Sequence, residues 1–281
     1  MRENGDAVLD RYRWATQDPA AQAAVLAEIH RRVRGGREAR ILREDFAGNG
    51  ADAVAWIAGG RGRRALAVDA DLATVEHGRA RARRLLGRRA ASIEWFADDV
   101  HAVGPPRAAG ADICSVLNFS IGYLHTRSAL LRYLRHARAA LAESGVLVLN
   151  TFGGPEALRP HSDRHAIVPG REKGGARLAP FDYVWETRSF DAATARIDCR
   201  IHFEWTDAAG RQQRIDDAFV YRWRLWSLPE LTEALREAGF RRAQIWRHTI
   251  RQTRAGPQGW LRPVRQLVDA PIWVAYVVGL A

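Results

Sequence analysis

Leu42-Arg-Glu-Asp-Phe-Ala-Gly-Asn-Gly50 is the stretch on which the reading of this chain turns. Ile41-Leu42 reads as a strand, Gly48–Gly50 as a turn, and Val54, Ala55 and Ile57 as the inward face of a helix. Glycine admits positive φ and lets backbone approach a ligand closely. The N-terminus of the following helix offers free N–H groups to a negative group, such as a ligand carboxylate.

Outward from this turn, strand and helix alternate. Ala65–Val68 is a short buried strand ending at Asp69. The segment from Leu72 to Leu86 reads as a helix with Leu72, Val75, Ala82, Leu85 and Leu86 inward. Ser92–Phe96 is a third strand before Asp98-Asp99, and Ile113–Leu117 a fourth before Asn118-Phe119-Ser120. Ser128 to Leu141 is an amphipathic helix, and Val146–Leu149 a fifth strand. Continuous apolar strands separated by helices indicate a parallel sheet covered on both faces. Residues 155–180, rich in Pro, Gly, Arg and His, read as a loop. Three segments of period-2 alternation follow, with Tyr183, Trp185, Tyr221 and Trp223 among their apolar positions. They indicate an antiparallel insertion. Ser227-Leu-Pro-Glu230 reads as a capping box, Gly239 closes its helix, and two more strands follow, Arg242–Arg247 and Ile272–Val278. The fold class is therefore α/β. The expected organisation is an N-terminal helical cap (1–36), an α/β core (37–155), an antiparallel β insertion (156–222) and a C-terminal completion of the core (223–281).

Composition narrows the function classes. The chain has 281 residues, 47% of them hydrophobic, enough for a well-buried core. The polar start, Met1 to Asp6, lacks the apolar segment of a secretory signal, and no apolar run approaches the roughly 20 residues of a membrane span. Cys114 and Cys199 sit in apolar runs and read as packed thiols in a reducing, cytoplasmic compartment. The net charge of +11 would suit a nucleic-acid partner. Lys173 is the only lysine, however, and many arginines fall on polar helix faces, so a solvated arginine-rich surface is the preferred reading. No oligomeric state is implied.

Gly48-Asn-Gly-Ala-Asp-Ala53 also satisfies G-x-G-x-x-A, the fingerprint of dinucleotide binding. Asp52 in the first helical turn, with Glu44 and Asp45 before it, would repel a diphosphate. The same acids attract S-adenosylmethionine, a sulfonium that also carries an ammonium group. Asp69 lies about 20 residues after the turn, where an acid accepts ribose hydroxyls in either ligand. Asp98-Asp99-Val100 is placed for an adenine amino group, and Asn118 for the ligand's reactive end. All four signals fall at strand ends, where open α/β sheets bind ligands.

These residues resemble the class I S-adenosylmethionine-dependent methyltransferases over about residues 40–155 and 222–281. Glu44 to Gly50 resembles motif I, with Phe46 where the family's first glycine stands. Asp69 matches the ribose-binding acid, Asp99 or its neighbour Asp98 the adenine-side acid, and Asn118 the position beside the reactive methyl. The resemblance implies a seven-stranded, Rossmann-like sheet whose last strand is antiparallel. It also implies S-adenosylmethionine as cofactor, held by Glu44, Phe46, Ala47, Gly48, Gly50, Asp69, Ala70, Asp98, Asp99, Val100, Asn118 and Phe119. The insertion is similar in placement to the substrate-side β insertion of small-molecule N-methyltransferases, including the glycine and amino-sugar enzymes.

The expected reaction is in-line methyl transfer to an oxygen or nitrogen of a small-molecule acceptor. An RNA methyltransferase and an NAD(P)-binding oxidoreductase or non-catalytic nucleotide-binding protein are the alternatives. His125 and Tyr123, after the fourth strand, are the candidate catalytic residues, set against a plain loop contact with solvent. Tyr12, Tyr183, Trp185, Tyr221 and Trp223 are the candidate acceptor pocket, set against ordinary core packing. His202 is expected on the polar, solvent-facing side of its strand beside Arg200 and Glu204. His161 and His165 have metal-ligand spacing but lack a third ligand in what reads as a loop, so no metal is expected.

Overall fold

In the computed structural model two helices come first, α1 (Gly5–Thr16) and α2 (Pro19–Val33). Asp18 opens the second: its carboxylate accepts the Ala21 N–H at 3.1 Å, and Pro19 takes the first helical position. The structure describes residues 5–103, 110–175, 177–253, 256–268 and 270–281, without the side chains of 249–260. Residues 1–4 of the polar N-terminal stretch lie outside the described residues.

The apolar runs of the sequence then build the sheet. β1 (Ile41–Asp45) leads through α3 (Ala51–Ala58) to β2 (Arg64–Asp69), and α4 (Leu72–Leu86) leads on to β3 (Ile93–Ala97). β4 (Ala111–Val116), α5 (Arg127–Ala140) and β5 (Leu141–Gly153) follow. The insertion holds β6 (His161–Ile167), β7 (Phe181–Asp191), β8 (Arg196–Thr206) and β9 (Gln212–Arg224). α6 (Leu228–Glu237), β10 (Arg242–Thr253), β11 (Gly256–Val264) and β12 (Trp273–Leu280) complete the chain. At α6 the capping box forms as read: Ser227 accepts the Glu230 N–H, and Glu230 accepts the Ser227 N–H.

The large sheet has the order β11-β10-β12-β5-β4-β1-β2-β3. β3, β2, β1, β4 and β5 pair in parallel, and β12 slots antiparallel between β5 and β10. The expected seven strands are present. The eighth is β11, which turns back antiparallel on β10. It carries Pro257 and Pro263, which edge strands tolerate because one row of N–H groups needs no partner. Cores form on both faces. Leu26, Ile29, Trp56 and Ile57 pack on one, and Leu130, Leu134, Leu231 and Leu235 on the other. Leu72 departs from its expected inward place: it is 60% exposed, because Asp71 caps α4 and the first turn stands clear of the sheet. Among the described residues no helix is long and apolar enough to cross a membrane.

The smaller sheet has the order β6-β7-β8-β9. The expected loop over 155–180 therefore contains a strand, and His161 and His165 lie on it. The inner face packs Ile197, Cys199, Ile201, Phe203 and Trp223 into a third core, against Phe152 of β5 and Val8 and Tyr12 of α1. This layer closes over the carboxyl ends of the parallel strands.

Candidate functional site

The five residues from Leu42 to Phe46 divide their work by strand parity. Leu42 and Glu44 face one side of the sheet, Arg43 and Asp45 the other. Arg43 and Asp45 are both fully buried, with Nε 2.7 Å from Oδ1. The Arg43 guanidinium also donates to the carbonyls of Val103 and Val100. The Tyr133 hydroxyl donates to Asp45 at 2.8 Å. Burial beside Asp45 pushes the Tyr133 and Cys114 groups well up, so both stay protonated and act as donors. This network lies under the turn and fixes its base.

Glu44 turns towards α3. Its carboxylate accepts the Ala53 N–H at 2.8 Å and the Asp52 N–H as well. The expectation that these helix-terminal N–H groups await a ligand is thus corrected: the chain's own Glu44 takes them, and Glu44 does not line the cavity. The argument from Asp52 changes too. Asp52 is 1% exposed and does not line the cavity, so it makes no direct contact with anything bound there. Burial pushes its carboxyl up to about 7 and raises Glu44 well above the usual range, with the neighbouring Asp52 adding to the Glu44 shift. The case against a diphosphate now rests on Glu44, which fills the anion position at the start of α3.

The turn keeps a glycine-like path without its first glycine. Phe46 has φ 55°, followed by Gly48 at 54° and Gly50 at 60°. A left-handed conformation costs a non-glycine residue about 1–2 kcal/mol. Phe46 recovers contact through its ring, 5.7 Å from Tyr133 and 6.4 Å from Tyr123 between centroids. α4 approaches the same turn so closely that a Cβ on Gly78 would lie 2.2 Å from the Asn49 carbonyl oxygen. Gly78 is a site-shaping residue that helical periodicity alone does not reveal.

A cavity of about 340 Å³ opens at the carboxyl ends of β1, β2 and β4. Phe46, Ala47, Gly48, Asp69, Ala70, Asp99, Val100 and Asn118 line it, as the sequence reading expects. Asn49, Asp71, Thr74 and Gln17 join them. Asp69 is held firmly: Oδ2 accepts the Gly48 N–H at 2.7 Å, and Oδ1 accepts the Asp71 N–H at 2.9 Å. Burial raises its carboxyl, and these two bonds oppose that rise. Each oxygen keeps a second lone pair for a ligand hydroxyl. The buried Asn49 Oδ1 and Gln17 Oε1 find no partner within the protein.

Several expected residues stand elsewhere. Gly50 caps α3 and does not line this cavity; nor does Asp98, whose carboxylate accepts the Asp99 N–H. Phe119, left-handed at φ 61°, borders a second cavity and packs on Phe152. His125 lines neither cavity. Its Nε2–H donates to the Arg222 carbonyl at 2.6 Å, fastening the loop after β4 to β9. Tyr123 does reach the first cavity, and burial pushes its hydroxyl up to about 12.

The second cavity, of about 210 Å³, lies between α1, α2, the ends of β4 and β5, and the inner face of the insertion. Tyr183 and Trp185 line it, with Thr16, Gln22 and Asn150. Tyr12, Asn118, Tyr221 and Trp223 line both cavities and form the wall where they meet. The Tyr12 and Tyr221 side chains interact with each other across that wall. Burial raises Tyr12, Tyr183 and Tyr221, so all three stay protonated. α1, which supplies Tyr12, is clasped at its far side. Glu172 meets Arg81 at 2.8 Å and Arg13 at 3.4 Å, and His77 meets Asp6 at 2.9 Å.

His202 is only 3% exposed, not solvent-facing as expected. It is roofed by charged neighbours: its Nδ1 accepts the Asp217 N–H at 3.0 Å, and its Nε2 donates to Glu186 at 3.1 Å. Glu186, His202 and Asp217 bring ligand atoms together, but the Arg188 guanidinium already bridges the two carboxylates.

No protein-family model matches the sequence, and no curated protein sequence matches it. Among solved structures, DesVI from Streptomyces venezuelae is similar with a TM-score of 0.67 at 17% identity, covering 99% of each chain. An S-adenosylmethionine-bound amino pentose methyltransferase of calicheamicin biosynthesis, from Micromonospora echinaspora, has a TM-score of 0.64 at 18% identity. It covers 96% of this chain and 94% of its own. A sugar N-methyltransferase from Streptoalloteichus has a TM-score of 0.61 at 20% identity, over 96% and 90%. The eight-stranded sheet with its antiparallel β12, and the insertion above it, therefore make up the class I fold of the S-adenosylmethionine-dependent methyltransferases.

Proposed function

We propose that this chain is an S-adenosylmethionine-dependent methyltransferase acting on a small-molecule acceptor. The observation that carries the reading is the pair of cavities sharing Tyr12, Asn118, Tyr221 and Trp223. One cavity suits the donor. Asp69 presents a carboxylate pre-aligned for ribose hydroxyls, Asp99 stands on the adenine side, and the orphaned Asn49 and Gln17 oxygens suit an ammonium group. These residues fit S-adenosylmethionine, which when bound supplies an electrophilic methyl group on sulfur. The other cavity suits an acceptor, which would meet the methyl at the shared wall.

The protein's contribution is alignment and exclusion of water. Tyr12 and Tyr221 close the junction from above, and Asn118 borders it from below. His125 has a loop-fastening role in this scheme, and Tyr123 borders the donor without acting as a base. The sugar and amino pentose methyltransferases that share the fold support a small acceptor. The buried thiols Cys114 and Cys199 suit the cytoplasm, where we place the reaction.

Isothermal calorimetry with S-adenosylhomocysteine and with NAD tests the reading. Micromolar binding of the first and none of the second is expected. NAD binding with no response to S-adenosylhomocysteine overturns it.

A further inference from the structure

Building on the two-cavity reading, we propose that the acceptor cavity selects an amine nitrogen over a hydroxyl, with Tyr183, Trp185, Tyr221 and Trp223 as its specificity-determining residues. Two observations carry this. First, none of the described residues lining the second cavity is His, Asp, Glu, Lys or Arg. Its polar groups are hydroxyls and amides, and its tyrosines are held protonated. His125, the nearest basic candidate in sequence, lines neither cavity. Second, the walls are stacked aromatic faces. Tyr221 and Trp223 lie 4.2 Å apart at 22°, and Trp185 stacks on both at 6.1 and 6.2 Å.

The two acceptor classes make different demands. A hydroxyl must lose its proton as the new bond forms, because a protonated ether is too acidic to accumulate. That requires a base in contact with it. An amine attacks through its lone pair. The nitrogen–carbon bond forms, the carbon–sulfur bond breaks, and the bonding pair stays on sulfur as a neutral thioether. The nitrogen becomes a stable ammonium, and any proton it carries leaves later to water. Only the neutral amine carries the lone pair that attacks. The aromatic faces then stabilise the positive charge that develops on nitrogen and its methyl groups.

The test uses choline and its uncharged isostere 3,3-dimethylbutan-1-ol. Each is titrated into the full chain saturated with S-adenosylhomocysteine and followed by tryptophan fluorescence. Choline should bind about tenfold more tightly than the isostere, the scale of a desolvated cation–π contact. Trp185→Leu and Tyr183→Leu should each remove most of that preference. Both should bind S-adenosylhomocysteine as the parent does, which shows that they fold. Equal binding of the two probes, or binding of neither, overturns the amine proposal while leaving the methyltransferase reading intact. Failure of S-adenosylhomocysteine to bind the parent overturns the methyltransferase reading itself.

Discussion

The two halves of the site are built from different materials. The side proposed for the donor is a backbone construction: left-handed residues at Phe46, Gly48 and Gly50, strand ends, and a carboxylate gripped by two N–H groups. Beneath it sits a buried charge pair. The side proposed for the acceptor is a side-chain construction, uncharged and aromatic, on antiparallel strands that present alternate residues inward. Backbone geometry tolerates few sequences, whereas a wall of rings changes with each substitution. Specificity is therefore free to vary on the second half while the first stays fixed.

Breaking the foundation of the donor side should have the largest effect. Arg43→Ala strands Asp45 as a buried, unpaired carboxylate, and the expected loss is about 3–5 kcal/mol of stability by urea titration. A loss near zero would mean that water replaces the guanidinium. The like-charged side of the same strand comes next, and its effect depends on pH. The folded chain holds the Asp52 proton up to about 7, against 3.8 for the ordinary group. The native state thus binds the proton more tightly than the unfolded state, and stability falls as pH rises from about 4 to about 7. Asp52→Asn should lessen that fall, Glu44 keeping its own share, with a gain on the order of 2–4 kcal/mol at pH 8 that vanishes near pH 4. An unchanged pH profile by thermal denaturation would refute it. The smallest effect sharpens the comparison most. Asp69→Ala should weaken S-adenosylhomocysteine by about 1–3 kcal/mol in calorimetry. Choline titrated into the variant at saturating S-adenosylhomocysteine should bind as before. Equal losses for both ligands would merge the two halves into one.

The cavity at the strand ends was legible in the sequence because a turn of this kind imposes positions. A turn before a helix needs glycine, and the strand-end acids Asp69 and Asp99 fall where the topology brings ligands. The orientation of Glu44 was not legible. Strand parity sends it to the helix face, but only the packed structure shows that it caps α3. Two edge strands were missed for one reason. β6 exposes Ser162, Asp163, Arg164 and His165 along a sheet margin, so it carries no apolar alternation. β11 contains prolines that argue against strand where no edge is assumed. His202 misled through its neighbours: polar residues flanking it in sequence suggested solvent, yet carboxylates from adjacent strands cover it.

The contact of Tyr12 with Tyr221 joins residues 209 positions apart in the chain. Contacts so distant in sequence carry a heavy loop-closure cost and form late in folding. During synthesis the sheet's first five strands can assemble while the junction is still missing its roof. Tight uptake of the donor would thus mark the end of maturation, and nascent chains would not sequester cofactor before the insertion has docked.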